Sequence, residues 1–187
     1  VSSRKATPPS HWTNGEIPRG KDQHPVSNVT WNDALSYCRW ISEQAGSDIR
    51  LPTEAQWEYA ARGSSGREYP WGDEPPTAER ANFGGAVGDT SAVGSYPAGK
   101  TPEGLFDLAG NVWEWCADWF GAYGPDEVTD PTGPVSGTTR VVRGGSFSFN
   151  PGALRAASRG DDVPGLASGN VGFRCVRVAP GGQKGLG

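Results

Sequence analysis

Apolar positions recur at helical spacing in only two stretches of this chain. Trp31, Ala34, Leu35, Cys38, Ile41 and Ala45 share one face of a 3.6-residue period. Thr30 and Asp33 form a shortened capping box before them and Gly46 stands after them, so the pattern predicts a helix over 31–45. Thr53 with Gln56 is a second capping box and Gly63 a second stop, which predicts a helix from about 54 to 62. From 63 to 137 periodicity nearly vanishes. Pro70-Trp71-Gly72-Asp73, Asn82-Phe83-Gly84-Gly85 and Tyr96-Pro97-Ala98-Gly99 are turn signals instead. Residues 111–119 interleave apolar groups with acids and suit a short strand or a helical turn. Residues 140–143 and 171–178 read as strands. The lead-in over 1–29 carries Pro8, Pro9, Pro18 and Pro25, which exclude a long helix, and the Gly-rich tail 179–187 is expected to fray. No internal repeat is visible.

Composition sharpens this picture. With 187 residues, one domain over 1–178 can bury a real core. The 28 Gly and 16 Pro point to a fold made mostly of loops, while eight Trp argue that those loops are ordered by packing. A net charge of −4 without Lys/Arg runs excludes a basic nucleic-acid footprint. No apolar run approaches the roughly 18 residues of a membrane helix, so membrane insertion is not expected. Cys38, Cys116 and Cys175 lie far apart, and the two histidines are His11 and His24. One disulfide plus a free thiol, or three reduced thiols, both fit, and cysteine usage assigns no compartment.

Six ordered motifs then carry a resemblance. Pro25-Val26-Ser27-Asn28-Val29-Thr30-Trp31 comes first, followed by the run from Arg50 to Ala60 and by Tyr69-Pro70-Trp71-Gly72. Gly110-Asn111-Val112-Trp113-Glu114-Trp115, Arg143-Gly144-Gly145-Ser146 and Gly172-Phe173-Arg174 complete the set. Together they resemble the formylglycine-generating-enzyme/sulfatase-modifying-factor family. The resemblance implies an α+β, C-type-lectin-like fold of the formylglycine-generating-enzyme type, with little regular structure, two helices and short antiparallel strands. The family's opening strands would lie upstream of residue 1, which implies a piece of a longer polypeptide or a lost N-terminal part.

The family's enzymes oxidise a substrate cysteine at a pair of copper-binding cysteines after the Arg-Gly-Gly-Ser segment. Alignment puts Phe149 and Leu154 at those positions, and no thiol lies between Cys116 and Cys175. Soft thiolates bind Cu(I) there, so no copper and no catalytic residues are expected. Iron-dependent relatives need a histidine cluster that His11 and His24 cannot supply. The resemblance also implies structural calcium, a hard cation suited to oxygen ligands. One site would use the side chains of Asp107 and Glu114 with the carbonyls of Gly110 and Val112. A second would use Asn82, the Phe83 carbonyl and Asp89. Cys38 and Cys175 match two family cysteines that pair, which would leave Cys116 as a buried small apolar group.

A second resemblance concerns the stretch between Ser146 and Val171. It is similar to the variable region of proteins diversified by retroelements that randomise adenines in Asn-type codons. Such codons cannot become Lys, Glu, Gln, Met or Trp, and residues 147–170 contain none of these. The rest of the chain holds 26, so composition alone would place about four in a window of this length. This implies a non-enzymatic protein displaying a selected surface to a protein or cell-surface ligand, at a cell-surface or extracytoplasmic location. The ligand-binding positions would be Phe147, Ser148, Phe149, Asn150, Gly152 and Ala153, then Ser158, Gly160, Asp161, Asp162 and Val163, then Gly165, Leu166, Ala167, Ser168 and Gly169. Phe147 suits either an apolar anchor or the core. Pro151, Leu154, Arg155, Arg159 and Pro164 would be scaffold. Aromatic anchors among small polar groups are a paratope-like mixture. The competing expectation is an oxidase or maturase relative with an inactive or rearranged site.

Overall fold

The computed structural model describes residues 8–9 and 11–179, so the start of the lead-in and residues 180–187 of the tail lie outside the described residues. Both helices form where the pattern places them. α1 runs Trp31–Ala45, with the Thr30–Asp33 box closed in both directions and Gly46 in the left-handed region at φ 58°. α2 runs Glu54–Arg62, with the Thr53–Gln56 box likewise reciprocal. Each box satisfies two N-terminal N–H groups that the helix itself cannot.

The strands are β1 (Ile49–Arg50), β2 (Trp113–Trp119), β3 (Arg140–Arg143), β4 (Arg159–Asp162), β5 (Val171–Gly172) and β6 (Val176–Arg177). A four-stranded sheet has the order β4-β3-β2-β5, and a two-stranded sheet pairs β1 with β6. The 111–119 segment thus resolves as a strand. Glu114 faces Arg143 and Trp115 faces Val142, before an irregularity brings Trp119 opposite Arg140.

Three expectations are corrected. Residues 171–178 are two strands in different sheets, because the intervening side chains each turn to a separate neighbour. Phe173 packs on Tyr37, Arg174 forks onto Glu114, and Cys175 meets Cys38. β5 pairs with β2 in parallel, not antiparallel. The 147–170 stretch is also more regular than expected: it contains a 3-10 turn over Pro151–Leu154 and all of β4, which pairs with β3 over its whole length.

Tryptophan organises the core, as the composition suggests. Trp57 and Trp115 are fully buried, and their indole N–H groups donate to Glu114 Oε2 and the Val29 carbonyl. Trp31 donates to the Cys116 carbonyl and caps one face of Arg140, whose other face lies 3.4 Å from the Trp119 ring centre. Arg143 is wholly buried and gives its N–H groups to Glu58 and to the carbonyls of Ala156, Ala157 and Ser158. One guanidinium thereby ties β3 to α2 and to the 156–158 turn. Gly110 sits at φ 78°, and a Cβ there would lie 2.3 Å from the Asn82 carbonyl oxygen, so only glycine permits the approach of these two loops.

Candidate binding surface and cation positions

The chain leaves β3 through Gly144 and Gly145, both at positive φ, and enters the proposed display stretch at the buried Ser146. From there the main chain does the anchoring. Phe147 N–H donates to the Asn111 carbonyl at 2.9 Å, and the Phe147 carbonyl accepts from Gly85 N–H at 2.7 Å. Phe149 N–H donates to the Ser146 carbonyl at 3.1 Å, and its own carbonyl accepts from Gly84 N–H at 2.8 Å. Farther on, the carbonyls of Pro164 and Ser168 accept from Trp31 and Asn28.

With the backbone held in this way, the side chains face outward to differing degrees. Ser148, Phe149, Asn150, Gly152, Asp161, Val163, Gly165, Leu166, Ala167 and Gly169 are exposed. Phe147, Ala153, Ser158, Asp162 and Ser168 are half-buried. Phe149 is 41 % exposed and lies edge-on to Trp113 with ring centres 5.4 Å apart. Gly160 differs in kind, since a Cβ there would meet Val142 Cγ2 at 3.0 Å and the Trp113 ring at 3.4 Å. It faces the sheet interior and offers no displayed side chain. Among the scaffold positions Leu154 is fully buried and Arg159 is tied to Glu54, whereas Pro151 and Arg155 are on the surface.

Several polar groups of the stretch are locally committed. Asn150 Oδ1 accepts from Gly152 N–H, Asp162 Oδ1 from Val163 N–H, and Ser158 donates to the Gly152 carbonyl. Gly84–Gly85, a turn signal in the sequence, is the partner loop of Phe147 and Phe149, and Trp113 lies against the Phe149 ring. No local pattern signals either contact, because both span more than thirty residues.

The aligned cysteine positions hold an exposed phenyl ring at Phe149 and a core leucine at Leu154. Cys116 is fully buried, and burial pushes its thiol well up from the usual range. A raised thiol is a poor metal ligand and nucleophile. Cys38 and Cys175 come together with sulfurs 3.5 Å apart. The hydrogen bond that Cys38 donates to Cys175, with burial, pushes Cys38 up.

The two calcium positions differ in fit. At the first, Glu114 is buried and both its oxygens are taken by Arg174, at 2.5 and 2.6 Å, with Trp57 adding a third donor. Arg174 also reaches the Asp107 carbonyl, while the Asp107 carboxylate accepts from Gly94 N–H. Burial pushes that carboxyl up. A guanidinium therefore supplies a counter-charge to Glu114 here. At the second, the Asp89 carboxylate turns to Lys21 at 2.7 Å and to Thr90 N–H. Asn82 is buried, donates to the Asp89 carbonyl and Ser91, and leaves its Oδ1 with no donor. A buried oxygen without a donor fits a hard-cation ligand. Among the described residues no group of three His, Cys, Asp or Glu side chains converges as a metal cluster.

Comparison with known proteins follows the same lines. The chain is 43 % identical to a formylglycine-generating enzyme of Streptomyces coelicolor over 91 % of its length, and spans 59 % of that protein. It is also 43 % identical to the serine/threonine-protein kinase pkn1 of Chlamydia pneumoniae over 86 % of its length, covering 25 % of the kinase. Among solved structures, Treponema denticola variable protein 1 superposes with a TM-score of 0.76 at 27 % identity, over 90 % of this chain and 77 % of that one. The fold is thus C-type-lectin-like, of the formylglycine-generating-enzyme type. A profile of the sulfatase-modifying factor enzyme 1-like domain matches residues 2–179, and the chain belongs to that family.

Proposed function

We propose that this domain is a non-enzymatic binding module that presents residues 147–170 to a protein or cell-surface ligand, at a cell-surface or extracytoplasmic location. The observation that carries the reading is the anchoring of Phe147 and Phe149 by main-chain bonds to Asn111, Ser146, Gly84 and Gly85. A segment held by its backbone keeps its path when its side chains change, which is what a diversified surface requires. Likeness to a protein named as variable, with Phe149 and Leu154 at the cysteine positions, supports the same reading.

The second reading, an oxidase or maturase relative with a rearranged site, is favoured by the 43 % identity to the Streptomyces enzyme. Family membership does not decide between them, since a protein named as a kinase and one named as a formylglycine-generating enzyme match this chain at the same 43 % identity. Two experiments separate the readings. The purified chain, given Cu(I) and a cysteine-bearing peptide, is expected to form no aldehyde and to label at Cys116 only on unfolding. Turnover with stoichiometric copper would establish the enzyme instead. The genomic locus is expected to hold a reverse transcriptase and a template repeat differing at adenines within the codons for 147–170. A locus without either removes the basis for diversification.

A further inference from the structure

The outward face of α2 and the loop over 121–134 enclose an open cleft of about 1090 Å3, to which the 147–170 stretch contributes only Arg159. The loop is pinched at its neck: a Cβ on Gly121 would lie 2.7 Å from Pro134 Cγ, and one on Gly133 3.0 Å from Asp118 Cβ. Its wall is thereby held against the end of β2 and opposite α2.

The cations of this cleft are committed within the protein. Arg159 forks onto Glu54 at 2.6 and 2.8 Å, donates to the Gly121 carbonyl, and lies between the Phe120 and Tyr123 rings. Arg62 is bound to Glu58 at 2.8 Å and reaches the Gly66 carbonyl. Glu54 and Glu58 are committed by the same bonds. The charge left over is all negative, on Asp118, Asp126 and Asp130. Asp118 is only 4 % exposed, and its Oδ2 accepts from Glu54 N–H. Above these carboxylates stand Tyr59 on α2 and Tyr123 on the loop, 68 % and 66 % exposed, with Ala55, Val128 and Pro131 also lining the walls.

We propose that this cleft is a second binding site, separate from the display stretch, for a primary ammonium carried on an aliphatic stem, as in a lysine side chain or a free polyamine. The stem lies along the tyrosine rings and the apolar wall while the head meets the carboxylates. Asp118 is buried, and its low-dielectric surroundings strengthen its attraction for a cation. An anion would find no uncommitted cation among the lining residues, and a neutral ligand would gain hydrogen bonds but no charge pairing from the three carboxylates.

An NMR titration of the folded chain tests this with spermidine, a blocked Gly-Lys-Gly peptide and glucose as probes. Saturable shifts of amides in 121–134 and α2 are expected with at least one of the two amines. The lysine peptide saturating them identifies a side chain as the source, and spermidine alone identifies a free polyamine. Tyr59→Ala is expected to weaken amine binding about threefold. The exposed pair Asp126→Asn and Asp130→Asn is expected to weaken it further and to steepen nothing in the melting curve. The proposal is overturned if neither amine saturates at millimolar concentration, if these variants bind as the parent does, or if glucose matches the amines.

Discussion

Arg174 illustrates how single side chains carry this loop-rich fold. It joins the segment between β5 and β6 to Glu114 on β2 and to two carbonyls of the 106–107 turn. Removing one partner of a buried ion pair leaves the other charge uncompensated. Arg174→Met is expected to cost about 3 kcal/mol in urea unfolding, with much of it recovered by the double variant Arg174→Met, Glu114→Gln. A double variant no more stable than the single would mean that Arg174 acts through packing alone. Glu103 offers an exposed contrast. Its bidentate contact with Arg67 holds its carboxyl down to about 2, below the ordinary 4.5. A depressed carboxyl stabilises the fold above its unfolded value and loses that contribution as pH falls toward the folded one. Glu103→Gln is therefore expected to lower the melting temperature slightly at pH 7 and to match the parent near pH 2. A gap that persists in acid would assign the effect to something other than charge.

At the scale of elements, the helices owe their limits to caps and the display stretch owes its path to main-chain bonds. Thr53→Ala removes the acceptor for Gln56 N–H and is expected to cost about 1 kcal/mol. Within 147–170 the structure separates two kinds of position. Replacing Ser148, Asp161, Val163 and Leu166 together is expected to leave the melting temperature nearly unchanged, at about 0.5 kcal/mol or less for each site. Leu154→Ala, six residues beyond Ser148, is expected to cost about 2–5 kcal/mol because that side chain is fully buried. If the exposed set collapsed the fold, those side chains would be structural and the display reading would fail. Asn150 and Asp162 stand outside that set because each accepts from a nearby backbone N–H.

For the molecule as a whole, loops outnumber helices and strands, so stability rests on the contacts that fasten loops together. The Asn82 region is one such junction: the Asn82 carbonyl accepts from Asn111 N–H, and its side chain holds Asp89 and Ser91 while Oδ1 has no donor. Calcium is expected to raise the melting temperature by mass action and a chelator to lower it, with Asn82→Ala abolishing the response. A chelator without effect would show that the orphaned oxygen is simply tolerated. The same logic places Cys38 and Cys175 at the joint between α1 and the last strand, where oxidation would add a covalent tie.

Local chemistry was sufficient for whatever depends on near neighbours in sequence. Thr30, Asp33, Gly46, Thr53, Gln56 and Gly63 delimit both helices to the residue, because caps act within four positions. The ordered motifs reach the family for a related reason: Gly110, Arg143 and Gly144-Gly145 are identities that close approaches and buried charges demand. Tertiary structure alone decided what depends on distant partners. Residues 171–178 split because Arg174 and Cys175 have partners 60 and 137 residues away. Glu114 became the anchor of a guanidinium for that same reason. Gly160 turned inward because β4 pairs with β3, and Gly84–Gly85 came to brace Phe147 and Phe149 across more than sixty residues. Such pairings are set by which loops pack together, and packing is a property of the folded whole that no short window of sequence contains.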